Sequence, residues 1–184
     1  MGSVKPVYIV ALVAAIIFVI FIKVSNPYRE YSTSEYWETA TLESVNEVPD
    51  EALMEGNKNG PVLMWAAMGS SDPAIITALV DRGADINESD GIFKGTPLTG
   101  AAGYSNNPEV IRELVRLGAD ITKRVNNNET ALMVAAQYNN NPGIIEVLVS
   151  LGADINDVND QGQTALDLAK SKGNLVAQNS LNSL

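Results

Sequence analysis

An all-α solenoid of stacked helical hairpins, preceded by one transmembrane helix, is the fold class this sequence predicts. Three observations carry the prediction. The phrase RGADIN at Arg82–Asn87 returns as LGADIT at Leu117–Thr122 and LGADIN at Leu151–Asn156, with Gly83, Gly118 and Gly152 spaced 35 and then 34 residues apart. A second phrase keeps the period: PVLMWAA from Pro61, TPLTGAA from Thr96, TALMVAA from Thr130 and TALDLAK from Thr164. Self-similarity at that spacing means supersecondary units that bury their apolar faces against one another. Ahead of the repeats, Val7–Ile22 runs for sixteen residues without a charge.

That apolar run comes first in the chain. At about 1.5 Å per residue it would span roughly 24 Å as a helix, slightly less than the ~30 Å hydrocarbon core. Lys5 and Lys23 can snorkel to the two interfaces, and Tyr8 and Tyr28 suit the headgroup level. A cleaved signal peptide is the competing reading. The anchor is favoured over it, because Lys23-Val-Ser-Asn-Pro stands where a small-x-small cleavage site is needed. Residues 1–24 are therefore read as the anchor and 25–34 as a polar tether. Basic residues are nearly balanced across the run, so the positive-inside rule decides little. A very short amino-terminal tail ordinarily stays cytoplasmic, which would set the repeats across the membrane.

Within each repeat, Thr-Pro-Leu or Thr-Ala-Leu opens a first helix. Thr96, Thr130 and Thr164 can cap its exposed N–H groups, and Pro97 suits the first turn. The Ala-Ala pairs at Ala66, Ala101 and Ala135 let neighbouring helices approach closely. A polar turn with proline follows (SSDP, SNNP, NNNP), then a second helix with apolar residues at helical spacing, such as Val110, Ile111, Leu114 and Val115. Gly83, Gly118 and Gly152 end that helix where a left-handed residue is needed. The Ala-Asp-Ile-Asn stretch then leads through a projecting polar loop, or finger, to the next threonine.

These landmarks together resemble the ankyrin-repeat family, whose consensus runs near G-x-T-P-L-H-x-A-A, then a Val-Leu-Leu-rich helix, then G-A-D-V-N. The likeness covers about Asn57 to Leu184. Three full repeats are read at about 57–87, 88–122 and 123–156, with capping units at 35–56 and 157–184, so that 35–184 forms the repeat domain. Trp37 and Leu42 are expected to cover the first full repeat. The family histidine is replaced by Met64, Thr99, Met133 and Asp167, so its hydrogen bond between turns is lost. The link between the two helices is one residue longer than consensus and carries Asn-Pro, which resembles ankyrin proteins common in bacteria.

Composition narrows the function. The chain has 184 residues with 12 bases and 22 acids, a formal charge of −10. Only Lys5 among the bases precedes Ile22, so the soluble part is acidic throughout. Nucleic-acid binders need a basic footprint, which this domain lacks. The charge favours a basic partner surface or simply keeps the domain soluble. The chain has no histidine and no cysteine, which removes the usual general base, most nucleophilic dyads and most zinc ligand sets. Asp85, Asp120 and Asp154 recur once per repeat at one structural place and read as turn formers. An EF-hand started at Asp157 fails at position twelve, where Leu168 replaces the bidentate glutamate. No enzyme, metal or cofactor is expected.

What remains is a binding surface. The resemblance implies that a protein partner is held on the concave side, by finger tips and the exposed side of each first helix. Carried onto this sequence, the finger residues are Ile92 and Phe93, then Asn126, Asn127 and Glu129, then Asp160, Gln161 and Gln163. The first helices offer Met68, Tyr104, Gln137 and Tyr138. Met68 and the two tyrosines would share one stripe. That stripe reads either as a contact surface, since aromatics bury much area at low entropic cost, or as packing over the Asn-Pro links. Among bacterial ankyrin proteins with an anchor, the resemblance implies an immunity protein. It would sit single-pass in the inner membrane with its repeats in the periplasm, neutralising a toxic effector, as a monomer or in a 1:1 complex. The alternative is a scaffold or accessory protein for an envelope enzyme, including one with an oxidative-stress role.

Overall fold

Threonine at the head of each repeat decides where its first helix begins. The computed structural model describes residues 29–54, 61–89 and 94–184. Among them lie helices α1 (Ser34–Glu38), α2 (Leu42–Glu47), α3 (Asp50–Met54), α4 (Val62–Gly69) and α5 (Pro73–Asp81). They continue as α6 (Pro97–Tyr104), α7 (Pro108–Arg116), α8 (Ala131–Tyr138), α9 (Pro142–Ser150), α10 (Ala165–Lys172) and α11 (Leu175–Ser183). No strand occurs among the described residues. The apolar run Val7–Ile22 lies outside them. Within them, no helix is long and apolar enough to cross a membrane.

The hydroxyls of Thr96, Thr130 and Thr164 each accept the amide three residues on, at 3.3 Å. Two of the residues replacing the family histidine are used locally. Thr99 Oγ1 accepts the Thr96 amide at 2.8 Å and Asp167 Oδ2 accepts the Thr164 amide at 3.0 Å, which closes a capping box at each helix. Bonds from the Thr164 hydroxyl and amide also hold the Asp167 carboxyl below its usual pKa.

The proline links serve the second helices in the same way. Asp72, Asn107 and Asn141 cap α5, α7 and α9 by accepting amides at 2.9, 3.0 and 3.0 Å, with proline as the next residue. The residue before each link proline is thus a helix cap. At the other end, Gly83, Gly118 and Gly152 have φ of 102, 101 and 103°. Around each, paired bonds such as Ala119 N–H to Leu114 O (2.9 Å) and Gly118 N–H to Val115 O (3.0 Å) form the double closure of a Schellman end. Asp85, Asp120 and Asp154 then accept the amide two residues on at 2.8–2.9 Å, which confirms them as turn formers.

First helices stack on first helices and second on second. Ala66, Ala67, Ala101, Ala102, Ala135 and Ala136 are fully buried, which lets α4, α6 and α8 lie close together. Behind them Ile75, Ile76, Leu79, Ile111, Leu114, Ile144 and Ile145 form the buried layer contributed by α5, α7 and α9. Burying one such side chain contributes about 1.5–3 kcal/mol. Asparagine amides sew the links of successive repeats together. Asn139 Nδ2 donates to Ala102 O (3.0 Å) and Ser105 O (2.9 Å), and Asn174 Nδ2 repeats the pattern on Ala136 O (3.2 Å) and Asn139 O (2.8 Å). Carbonyls that the helix ends would leave unpaired are satisfied from the next repeat.

The capping units are more complete than the sequence indicates. The amino-terminal cap is a pair of short helices broken at Thr39–Thr41, with α1 against α4 and α2 against α5. Trp37 is fully buried and its Nε1 donates to Tyr31 O at 2.9 Å. Leu42, expected to cover the first repeat, is 49% exposed, and Val45 and Val48 are buried in its stead. The compact body formed by the caps and repeats spans Tyr31–Leu184 and begins inside the segment read as tether: Tyr31 is buried and its hydroxyl donates to Glu47 O at 3.1 Å. At the far end the polar tail forms α11, capped by Asn174 and packed on α9 and α10.

Candidate protein-binding surface

The last residue of each first helix occupies one register: Gly69, Tyr104, Tyr138 and Lys172. Stacking the repeats therefore lines these residues up. The rings of Tyr104 and Tyr138 stack with centroids 6.1 Å apart and planes 19° from parallel. Lys172 Nζ lies 5.4 Å from the Tyr138 centroid, within cation–π range. The two tyrosines are 55% and 47% exposed, the largest exposed aromatics among the described residues. In the links that follow them, Ser105 and Asn139 are buried.

Met68 falls one place earlier in register, level with Gly103 and Gln137. It is half-buried against α6, where a Cβ on Gly100 would come 3.1 Å from Met68 Cγ. Lys172 extends the tyrosine track and escaped the sequence reading. Its signal was present, since the last residue of TALDLAKSK keeps the register of Tyr104 and Tyr138.

The second finger is shaped by Asn126–Asn128, a 3-10 turn in which Asn127 and Asn128 have φ of 59 and 61°. Asparagine tolerates that conformation better than other non-glycine residues. Asn127 O accepts the Asp160 amide at 3.0 Å, which ties the second finger to the third. Arg124 reinforces the tie: it pairs with Asp157 at 2.6 Å and donates to Asn128 O and Val158 O. In the third finger Asn159 Oδ1 accepts the amides of Gln161 and Gln163 at 3.0 and 2.9 Å. Asp160 and Gln161 stand exposed beside it and Gln163 is half-buried. Gln137 bridges helix and finger, donating to Glu129 Oε2 at 2.8 Å.

The candidate residues thus come together in two groups. One is the track of Tyr104 and Tyr138, joined to Glu129 through Gln137. The other is the locked pair of finger tips carrying Asn126, Asn127, Asp160, Gln161 and Gln163. Ile92 and Phe93 lie outside the described residues. The first is held by ring stacking and the second by hydrogen bonds, so a partner would meet a preorganised surface. Among the described residues no cluster of His, Cys, Asp or Glu is arranged to hold a metal ion.

Comparison with known proteins agrees with this construction. No curated protein gives a significant match to the chain. The family model described as ankyrin repeats (3 copies) matches residues 63–159 and 101–179, most of the stack just described. Its span begins in α4 and ends in α11 and covers more than half of the chain: the chain belongs to the ankyrin-repeat family.

Proposed function

We propose that this chain is a membrane-anchored adaptor that holds one protein partner on its concave face, and that it serves as a periplasm-facing immunity protein in a bacterium. The observation that carries the binding reading is the exposed, stacked Tyr104–Tyr138 pair. Rigid aromatic side chains left in solvent lose little entropy on association and contribute large contact area. The anchor rests on the uncharged run Val7–Ile22, and the immunity role on resemblance to anchored bacterial ankyrin proteins. On this reading the anchor keeps the domain at the periplasmic face of the inner membrane, where an incoming effector is met before it acts.

The test is association in the host cell. Tagged full-length chain is cross-linked, and the captured partner is compared with that of the Tyr104→Ala, Tyr138→Ala double variant. Loss of capture with an unchanged melting temperature supports the groove. Hot-spot truncation costs ~2 kcal/mol or more of binding, whereas exposed positions alter stability by about 0.5 kcal/mol or less. Deletion of the gene should be toxic wherever the effector is made. A harmless deletion together with a captured envelope enzyme would replace immunity by the scaffold role. A reporter active only in the periplasm, fused after Leu184, should be active; a silent one would reverse the topology.

A further inference from the structure

Second helices hand the stack on from one to the next: α5 receives α7, α7 receives α9 and α9 receives α11. No helix follows α11 among the described residues, and one of its faces is open. Leu175, Val176, Asn179, Asn182 and Ser183 are exposed, whereas Ala177, Ser180 and Leu181 are buried. Helical spacing puts the exposed five on a single face. Leu175 is 68% exposed, the most of any large apolar side chain among the described residues, with Val176 exposed beside it. That face is also uncharged. The other second helices carry Asp81 on α5, Glu109, Arg112, Glu113 and Arg116 on α7, and Glu146 on α9. From Gly173 to Leu184 there is no acid and no base, in a chain of net charge −10.

From this we infer that the open face of α11 binds a second copy of the chain, helix against antiparallel helix, about a twofold axis passing by Asn179. Charge selects the occupant. Two copies of an acidic protein repel wherever their charged surfaces meet, and an uncharged face is where they can approach. Anionic lipid would find no base on this face, and a basic partner would find no acid. Spacing selects the geometry. Asn179 is central, with Leu175 and Ser183 four residues to either side and Val176 and Asn182 three. A twofold axis therefore sets Asn179 against its own copy, Leu175 against Ser183, and Val176 against Asn182. A carboxamide donates and accepts, so two facing asparagines satisfy each other, and such a pair fixes register between helices. One nine-residue helix offers a small area, so the pairing is weak and reversible. It stands apart from the partner-binding reading, because Tyr104, Tyr138 and Lys172 belong to first helices.

The chain has no cysteine, so a single introduced one reports on its own neighbour. Detergent-solubilised full-length Asn179→Cys should give a disulfide-linked dimer on mild oxidation, since residues facing across the axis bring their Cα atoms within the ~7 Å a disulfide allows. Leu175→Cys and Ser183→Cys should each link poorly to themselves and readily to one another when mixed. Glu109→Cys, exposed on α7, measures random collision and any contact made through residues 7–22. Adding Leu175→Glu to Asn179→Cys should weaken the pairing about tenfold or more, the weight of one buried leucine. Asn182→Glu, which adds like charge without removing an apolar group, should weaken it too, and neither change should lower the melting temperature by more than a degree or two, as for exposed positions. Asn179→Cys linking no faster than Glu109→Cys would overturn the inference. So would linkage that survives both glutamates, or Leu175→Cys linking to itself as fast as Asn179→Cys.

Discussion

Two glycines show how differently a single residue can be constrained. Gly118 has a φ of 101° and nothing within 4 Å of where a Cβ would stand, so its requirement is purely conformational. Gly69 lies in a helix, and its requirement is purely spatial, because a Cβ would strike Ser34 O. Gly118→Val should therefore destabilise the stack by about 1–2 kcal/mol, the cost of holding a β-branched residue in a disfavoured backbone region. Gly118→Asn should lose clearly less. Urea denaturation of both variants checks the order, and equal losses would show that volume matters at this site. Gly69→Ala should instead loosen α1 alone, seen as faster amide exchange in Ser34–Glu38 with the later repeats unchanged.

Among the elements, the amino-terminal cap depends on one side chain from the first full repeat. Arg82 stands where the other two copies of the phrase have leucine. Its guanidinium donates to Val45 O, to Val48 O at 2.7 Å and to Asp50 at 2.5 Å, joining the cap to the end of α5. Arg82→Leu would restore the repeat phrase and yet lose these charged bonds. We expect a loss of about 1–3 kcal/mol, with exchange rising across α1–α3 and little change in α8–α11. An unaltered cap would mean that Trp37 and Val45 hold it by packing alone. Between second helices a carboxylate does similar work. Glu113 takes two bonds from Arg116, at 2.6 and 2.7 Å, and one from the Thr77 hydroxyl of the preceding repeat. Those bonds, Arg116 first, lower its pKa from 4.5 to about 2. Because the folded value is depressed, the stabilisation is complete above the unfolded value and disappears as pH falls from about 4.5 to about 2. Wild type should exceed Glu113→Gln by about 1 kcal/mol at pH 7, and the gap in urea midpoint should close toward pH 2. A gap independent of pH would assign the effect to packing. Glu113 thus belongs to the stability of the stack.

For the whole molecule, stability is close to a sum of repeat and interface contributions, since each unit touches only its neighbours. The two caps therefore set how far the ends fray. The acidic charge of the domain adds no attraction to an anionic lipid surface. If Val7–Ile22 is the anchor, full-length chain should stay with membranes through a carbonate or high-salt wash, because apolar insertion is not screened by salt. A chain starting at Ser25 should be released. Equal release of both would remove the anchor.

Periodicity made the stack legible before any coordinates: helix heads from Thr96, Thr130 and Thr164, helix ends from the glycines, and finger turns from Asp85, Asp120 and Asp154. These are local devices, complete within four or five residues, so their pattern survives in one dimension. The tyrosine track was half legible, because register along a repeat predicts which residues align but not that their rings would stack or that Lys172 would extend them. The remainder needed the fold. Arg82, Glu113 and Asn139 act on groups 30 or more residues away, and no local pattern marks a bond whose partner arrives only when repeats stack. Gly69 is the sharpest case. Its sequence neighbourhood permits any small residue, and only the docking of α1 leaves it no room for a side chain. By itself the sequence determined the repeat, its helices and its turns, because short-range sterics and hydrogen bonds decide those. The tertiary structure alone decided which surface stays open, because exposure is what remains after distant parts of the chain have packed.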